Sequence, residues 1–393
     1  MVDWGKGYVT DIEYTEHFYA AQAPHVLALT ALFNACESPD LDAGFAYCEL
    51  GCGRGLTSLL LAAVNPKGIF HAVDFNPASI ARADARARAA GLDNITFHER
   101  SFETLSEPSA GLPMFDVVTM HGVWSWISPE LQRAITAFLK SHLKPGGLVY
   151  ISYNSLPAWN DVIPLQRLLR DLALAQPGRS DQAAGNAIAM LNRLAEKKVI
   201  PPRFQDALKR LNLAVHGNDL TYLVHEYLHA GWSPYYFTDV ASALAEAKLS
   251  YVGSTNLPMN FWNIGLSEEQ RVLLSGIEPA ELRETLKEFC TNSWFRQDVF
   301  VRGPRGMTDA RRQPLLNDLF FAQIGPVPEV IEIAGPGGVT FRPDPVTYRR
   351  IFAALESGPR RVGELRSLPG LPSTVGALDL VATLVSSGIV SLW

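Results

Sequence analysis

The sequence predicts an α/β fold: an open seven-stranded sheet layered by helices, interrupted by a helical insertion and followed by a small winged-helix-like C-terminal domain. Three observations carry this expectation. Short apolar runs alternate with helical patterns over the first 160 residues, the mark of a largely parallel sheet covered on both faces. A glycine triplet, Gly51, Gly53 and Gly55, stands where the first apolar run meets the first helical pattern. Two further strand-like runs follow a long helical and more polar stretch.

"FAYCEL" (45–50) reads as a buried strand, and "GLTSLLLAAV" (55–64) as the helix after it. "GIFHAVDF" (68–75) is a second strand, followed by an Arg- and Ala-rich helix over 77–90. "ITFHER" (95–100) and "FDVVTMHG" (115–122) are the third and fourth strands. "PELQRAITAFLKSHL" (129–143) is amphipathic and helical, and "KPGG" turns the chain into a fifth strand, "LVYISYN" (148–154). From about 160 to 230 the pattern is helical, with breaks at Pro177–Gly178 and Pro201–Pro202. "FTDVASALAEAKLSYVGSTNL" (237–257) reads as a helix feeding a strand, and "QDVFVRG" (297–303) as another strand. These complete the sheet if the helical stretch is an insertion; the alternative is a separate second domain from about 160. The expected divisions are 1–160 for the first part of the sheet domain, 161–233 for the insertion and 234–303 for its completion. A Pro-, Gly- and Arg-rich linker with a hairpin at 330–341 spans 304–342, and the tail domain covers 343–393.

Composition narrows the classes. With 393 residues, 19% of them charged and 47% hydrophobic, the chain can bury more than one core. Its net charge of −6 and lack of a clustered basic face argue against nucleic-acid binding. The last helical pattern, "TVGALDLVATLVSSG", has no Lys or Arg to read DNA, so packing or a homodimer contact suits the tail better. Cys36, Cys48, Cys52 and Cys290 form no CxxC pair, as expected of a reduced, cytoplasmic protein. The N-terminal stretch lacks the basic start and apolar run of a signal peptide, and no run approaches the ~18–20 apolar residues of a membrane span.

"ELGCGRG" (49–55) has the spacing G-x-G-x-G, whereas a dinucleotide loop uses G-x-G-x-x-G to aim amides at a pyrophosphate. Glu49 precedes the turn and can meet a cationic amine. Asp74 closes the second strand, where a carboxylate can accept both ribose hydroxyls of an adenosine. Phe102 could cover the adenine while Ser101 meets its edge. An uncharged adenosine bearing an amino acid and a sulfonium fits these features.

Together "ELGCGRG", "VDFNP", "FDVVTMHG" and "LKPGGLVYISYN" resemble the motif series of class I S-adenosylmethionine-dependent methyltransferases. "HGVWSWISPE", "SYNSLPAW", "HEYLHAGWSPYYFTDVA" and "FRQDVFVRG" resemble a bacterial subgroup with a methyltransferase regulatory domain, which includes rickettsial outer-membrane-protein lysine methyltransferases. The resemblance implies a Rossmann-like sheet and S-adenosylmethionine as cofactor, held by Glu49, Gly51, Cys52, Gly53, Asp74, Phe75, Ser101, Phe102 and His121, with Tyr14 as a lid contact. The acceptor is then a protein lysine or a small molecule, a non-catalytic regulator being a third reading.

His121, just past the fourth strand, is a candidate base or cofactor contact, and Tyr153 a second catalytic candidate. Trp124, Asn154 and Trp159 are candidate substrate contacts, with Trp126 close by; for each tryptophan the competing reading is core packing. "HEYLH" (225–229) matches the helical zinc pattern H-E-x-x-H, but a metzincin continuation would need Gly and His where Trp232 and Tyr235 stand. No metal is expected, and His225 and Glu226 are read as polar contacts where the insertion rejoins the sheet.

Overall fold

The computed structural model describes residues 11–12, 16–107, 111–216, 220–262, 265–335, 338–372 and 374–392. Tyr8 and Tyr14 lie outside these. A helix that the sequence reading passed over, α1 (Pro24–Phe33), precedes the sheet. Its residues "PHVLALTALF" are apolar on nearly every side, so no amphipathic period marks it. Both sides are buried: Leu27 and Ala31 face the sheet, Leu29 and Phe33 the C-terminal domain.

The sheet begins with β1 (Phe45–Leu50), α2 (Leu56–Val64), β2 (Gly68–Asp74), α3 (Pro77–Ala89) and β3 (Ile95–Glu99). It continues with β4 (Phe115–Met120), α4 (Pro129–His142) and β5 (Leu143–Asn154). Local chemistry sets several helix starts. Asn76 caps α3 by accepting from the amides of Ala78 and Ser79, and Ser128 caps α4, each followed by a proline that needs no amide partner. Four helices follow: α5 (Ile163–Leu174), α6 (Ser180–Glu196), α7 (Gln205–His216) and α8 (Leu220–Tyr227). They enclose their own apolar core around Leu165, Leu169, Ile188, Leu191, Leu211 and Leu223.

The chain then returns to the sheet through α9 (Phe237–Ala245), β6 (Leu249–Ser254), α10 (Glu268–Ser275), α11 (Ala280–Thr291) and β7 (Phe295–Arg302). The strand order is β3-β2-β1-β4-β5-β7-β6, parallel except for β7, which runs antiparallel to both neighbours. This is a Rossmann-like sheet of seven strands. One face packs on α4 and α9 through Phe138, Leu139, Phe237 and Leu244; the other meets α1 and α2 through Leu27, Tyr47 and Leu61. Because β7 is reversed, its N-terminus arrives at the edge where β1, β4 and β5 end. That placement matters for the site.

The expected linker over 304–342 is corrected. It contains α12 (Asp309–Asp318) and β8 (Phe320–Gln323), then the short hairpin of β9 (Ile333–Ala334) and β10 (Thr340–Phe341). Leu316 and Phe321 are fully buried in the C-terminal core, so the segment belongs to that domain. Prolines and glycines punctuate it, which reads as linker in sequence, but two large apolar side chains anchor it. The domain adds α13 (Pro345–Glu356), β11 (Arg360–Arg361), α14 (Val362–Arg366), α15 (Ala377–Ser386) and β12 (Val390–Leu392), with strand order β11-β8-β12. Leu380, Val381 and Leu384 of α15 are buried in this core.

Candidate active site

The glycine loop joins β1 to α2 with Gly51, Gly53 and Gly55 all left-handed, at φ +73°, +53° and +74°. A Cβ at Gly51 would stand 2.6 Å from Val123 Cγ2, and one at Gly55 2.5 Å from Phe97 Cε1. At Gly53 a Cβ would meet nothing within 4 Å. The outer two glycines are demanded by the protein's own packing; Gly53 turns its bare face to open space.

That space is a continuous cleft along the C-terminal edge of the sheet. Its first part, about 600 Å³, is lined by Gly53, Asp74, Phe75, Ser101, Phe102 and Trp126 among others. Its second part, about 390 Å³, shares Gly51, Gly53 and Trp126 and continues past Glu49, Cys52 and His121 to Asn154, Trp159, Glu226, Trp294 and Phe295. The glycine loop thus sits at the junction of two compartments.

Asp74 is buried, and burial raises its carboxyl above the usual range. Its Oδ2 accepts from the Gly53 amide at 2.8 Å and its Oδ1 from the Asn76 amide at 2.9 Å, so it holds the loop and caps the next turn together. The Phe75 amide bonds the same carboxylate. Glu49 lies beneath the loop, where burial raises its carboxyl to about 7 against the bonds it accepts from Ser58 and Gln22. Neither Gln22 nor Ser58 was foreseen; Gln22 comes from the turn before α1, which nothing local links to Glu49.

His121 is held from two sides. Tyr19 stacks on its ring with centroids 3.8 Å apart, and its Nδ1 lies 2.8 Å from the Tyr150 hydroxyl. Burial lowers its pKa to about 4, so the ring is neutral near pH 7 and a weak acceptor for an ammonium proton.

Two candidates are withdrawn. Tyr153 is fully buried in the core, and its hydroxyl donates to Asp298 at 2.8 Å. Side chains alternate along a strand, so on β5 Tyr150 and Asn154 reach the cleft side while Tyr153 points to the opposite face. Trp124 is 1% exposed and packs in the same core; Trp126, two residues on, lines both compartments instead. Asn154 and Trp159 do border the cleft. The Trp159 indole donates to the Trp294 carbonyl at 2.7 Å and meets the Trp294 ring edge to face at 5.3 Å. Phe295 begins the reversed strand β7 and Trp294 directly precedes it, which is why they reach this rim; nothing local in the sequence marks them as site residues.

The "HEYLH" residues face the same cleft. His225 Nε2 lies 3.1 Å from the Ile12 carbonyl, and Glu226 accepts from the Asn154 side-chain amide at 3.0 Å. His229 Nδ1 accepts from the Gly231 amide at 2.8 Å. Among the described residues no three His, Cys, Asp or Glu side chains are placed to hold a metal ion.

Comparison with known proteins agrees with this architecture. Residues 41–197 match a family model described as a methyltransferase domain, and residues 219–302 one described as a predicted methyltransferase regulatory domain. An uncharacterised protein of Synechocystis sp. is 36% identical over 372 residues, 92% of this chain and 71% of that one. The chain belongs to the S-adenosylmethionine-dependent methyltransferases. A second uncharacterised relative, from Rickettsia prowazekii, is 25% identical over 309 residues, covering 74% of this methyltransferase and 53% of its own length. The solved structure of PKMT2 from Rickettsia typhi in complex with AdoHcy shares the fold with a TM-score of 0.72, at 21% identity, over 97% of this chain and 77% of that one. The cofactor of this methyltransferase is S-adenosylmethionine. A side-chain-free surface at Gly53, a carboxylate at the end of β2 and aromatic rings beyond it make the first compartment suited to an adenosine.

Proposed function

We propose that this methyltransferase acts on an amine nitrogen, and specifically on a lysine side chain presented by another protein. The observation that carries the reading is the second compartment, a cavity walled by Trp126, Trp159, Trp294 and Phe295 that opens from the glycine loop. A lysine offers a slender alkyl stem and a cationic head, which aromatic walls accommodate by dispersion and cation–π attraction. The resemblance to rickettsial lysine methyltransferases supports the same choice. A small-molecule N- or O-acceptor is the alternative, favoured by the cover over the cleft. There Asp11 accepts from the Ser180 amide and hydroxyl, and Tyr19 stacks on His121.

On this reading Asp74 receives the ribose hydroxyls, Phe75 and Phe102 flank the adenine, and Ser101 meets its edge. Gly51, Cys52 and Gly53 present backbone to the ligand, and Glu49 faces its amino group. When bound, S-adenosylmethionine supplies an electrophilic methyl group on a sulfonium centre. The chain's own contribution is alignment and exclusion of water: the aromatic walls guide the acceptor toward the loop, and neutral His121 forms an uncharged side of the passage.

The test is to incubate purified enzyme and methyl-labelled S-adenosylmethionine with a lysate of the source cells. Label in protein that yields methyllysines on acid hydrolysis is expected. Label confined to small molecules would replace this reading with the alternative.

A further inference from the structure

Of the "HEYLH" residues, His225 and Glu226 border the acceptor cavity, and Glu226 brings it a carboxylate. Glu226 sits on α8, is 6% exposed, and accepts from Asn154 Nδ2 at 3.0 Å at the end of β5. The cavity runs from this carboxylate, past Trp159 and Trp294, to the glycine loop and His121. The cation drawn toward it, Arg210 of α7, lies over the Trp294 ring with its guanidinium carbon 3.5 Å from the centroid. A carboxylate in an aromatic enclosure, with the Arg210 guanidinium stacked on the wall, is suited to receive a further cation.

We propose that Glu226 is a catalytic residue of this enzyme: its carboxylate docks the ammonium of the amine acceptor and takes the proton that must leave before methylation. This rests on the amine reading above and gives the acceptor a chemical definition, an alkylammonium. In the step, one ammonium N–H bond breaks and an O–H bond forms on Glu226. The freed nitrogen lone pair then forms the N–C bond to the sulfonium methyl, while the C–S bond breaks and its electron pair remains on sulfur. A lysine ammonium with an unperturbed pKa of ~10.4 needs such help near pH 7. Burial raises the Glu226 carboxyl to about 7, so it is a far better proton acceptor than an ordinary glutamate, and better than His121 at about 4. The titratable and charged groups around the cavity are Arg210 on α7, His225 on α8 itself with His229 one turn on, His121 beyond the β4 end, and Glu16, His17, Glu49, Arg54 and Asp74 about the glycine loop. Of these Glu49 is also raised to about 7, so the Glu226→Gln comparison is what separates the two carboxyls. Burial lowers His229 to about 4, leaving it neutral across the range in which Glu226 ionises.

Two measurements test this, one of them independent of turnover. Binding of n-butylammonium in the presence of S-adenosylhomocysteine is followed through tryptophan fluorescence, since Trp126, Trp159 and Trp294 border the cavity. Wild type is expected to bind it, more tightly at pH 8 than at pH 6, and Glu226→Gln to lose roughly tenfold or more of the affinity. In turnover with the labelled acceptor, Glu226→Gln is expected to lose roughly 100-fold or more in kcat and the acidic limb near pH 7, with Glu226→Asp restoring part of both. S-adenosylhomocysteine affinity, unchanged in both variants, confirms that they fold. Equal butylammonium binding and an unaltered pH profile in Glu226→Gln would overturn the proposal while leaving the amine reading intact. Wild-type label only on oxygen would instead overturn the amine reading, whatever the butylammonium result.

Discussion

At the scale of single residues, the glycine loop separates two requirements that one spacing hides. Gly55 is confined by neighbours: besides its φ of +74°, an added Cβ would stand 2.5 Å from Phe97 Cε1 and 2.9 Å from Ala83 Cβ. Gly53 is confined only by its φ of +53°, with open space beyond. Gly55→Ala should therefore cost stability on the order of 3 kcal/mol, combining left-handed strain with overpacking. Gly53→Ala should cost only ~1–2 kcal/mol in urea unfolding but weaken cofactor binding by roughly tenfold or more by calorimetry. Equal effects of both substitutions on binding would contradict the division. Glu49 makes a second prediction. Its folded pKa, about 7, lies above the unfolded value near 4.5, so the folded state holds the proton more tightly. The stability it contributes is full below about pH 4.5 and is lost as pH rises through about 7. Cofactor-free protein should lose on the order of 3 kcal/mol from this group between pH 4.5 and 8, and Glu49→Gln should remove that part of the slope.

At the scale of elements, β7 and α11 are joined by buried charge. Arg296 bonds Asp298 through Nε at 2.6 Å and Nη2 at 3.0 Å, and also pairs with Glu288 and Glu284. Glu288 in turn accepts from Ser155, just past β5, and Asp298 from Tyr153. The network ties the reversed strand and the end of β5 to α11, next to Asn154 and Phe295, which border the second compartment of the cleft. Arg296→Met would leave Asp298 and Glu288 buried without the guanidinium that pairs them, and an equilibrium unfolding loss of ~3–5 kcal/mol is expected. Arg88→Ala, which breaks an ion pair whose side chains are 75% and 43% exposed, should leave stability unchanged within error. The same scale explains the corrected candidates. Tyr153 and Trp124 sit in segments that do border the cleft, but strand alternation and one turn of 3-10 helix turn their neighbours Asn154 and Trp126 to it instead.

At the scale of the whole molecule, α1 couples the C-terminal domain to the sheet. Leu29 and Phe33 share a core with Phe352, Leu380 and Leu384, while Leu27 on the same helix packs on the sheet near Tyr47. The domain cannot loosen without uncovering one face of α1. Phe352→Ala should cost ~3–5 kcal/mol. Hydrogen exchange in that variant should rise in α1 as well as in α13, α14 and α15; faster exchange confined to the tail would show that the coupling is absent. The cleft is likewise a property of the whole. Its walls come from the glycine loop, the start of β7, the helical segment and residues near Ile12, which sequence separates by more than 200 positions.

The chain by itself determined what is local or periodic. Strand and helix order, the positive-φ turn at Gly51–Gly55 and the acid at the end of β2 follow from alternation, from the missing Cβ of glycine and from strand-end position. The tertiary structure decided what depends on which side of an element faces the ligand and on contacts between distant segments. It chose Trp126 over Trp124, set Asn154 against Glu226, laid Tyr19 on His121 and brought Trp294 to the rim through a reversed strand. A fraction of a helical turn or one residue of strand register separates the cleft from the core, and only packing of the complete sheet settles it.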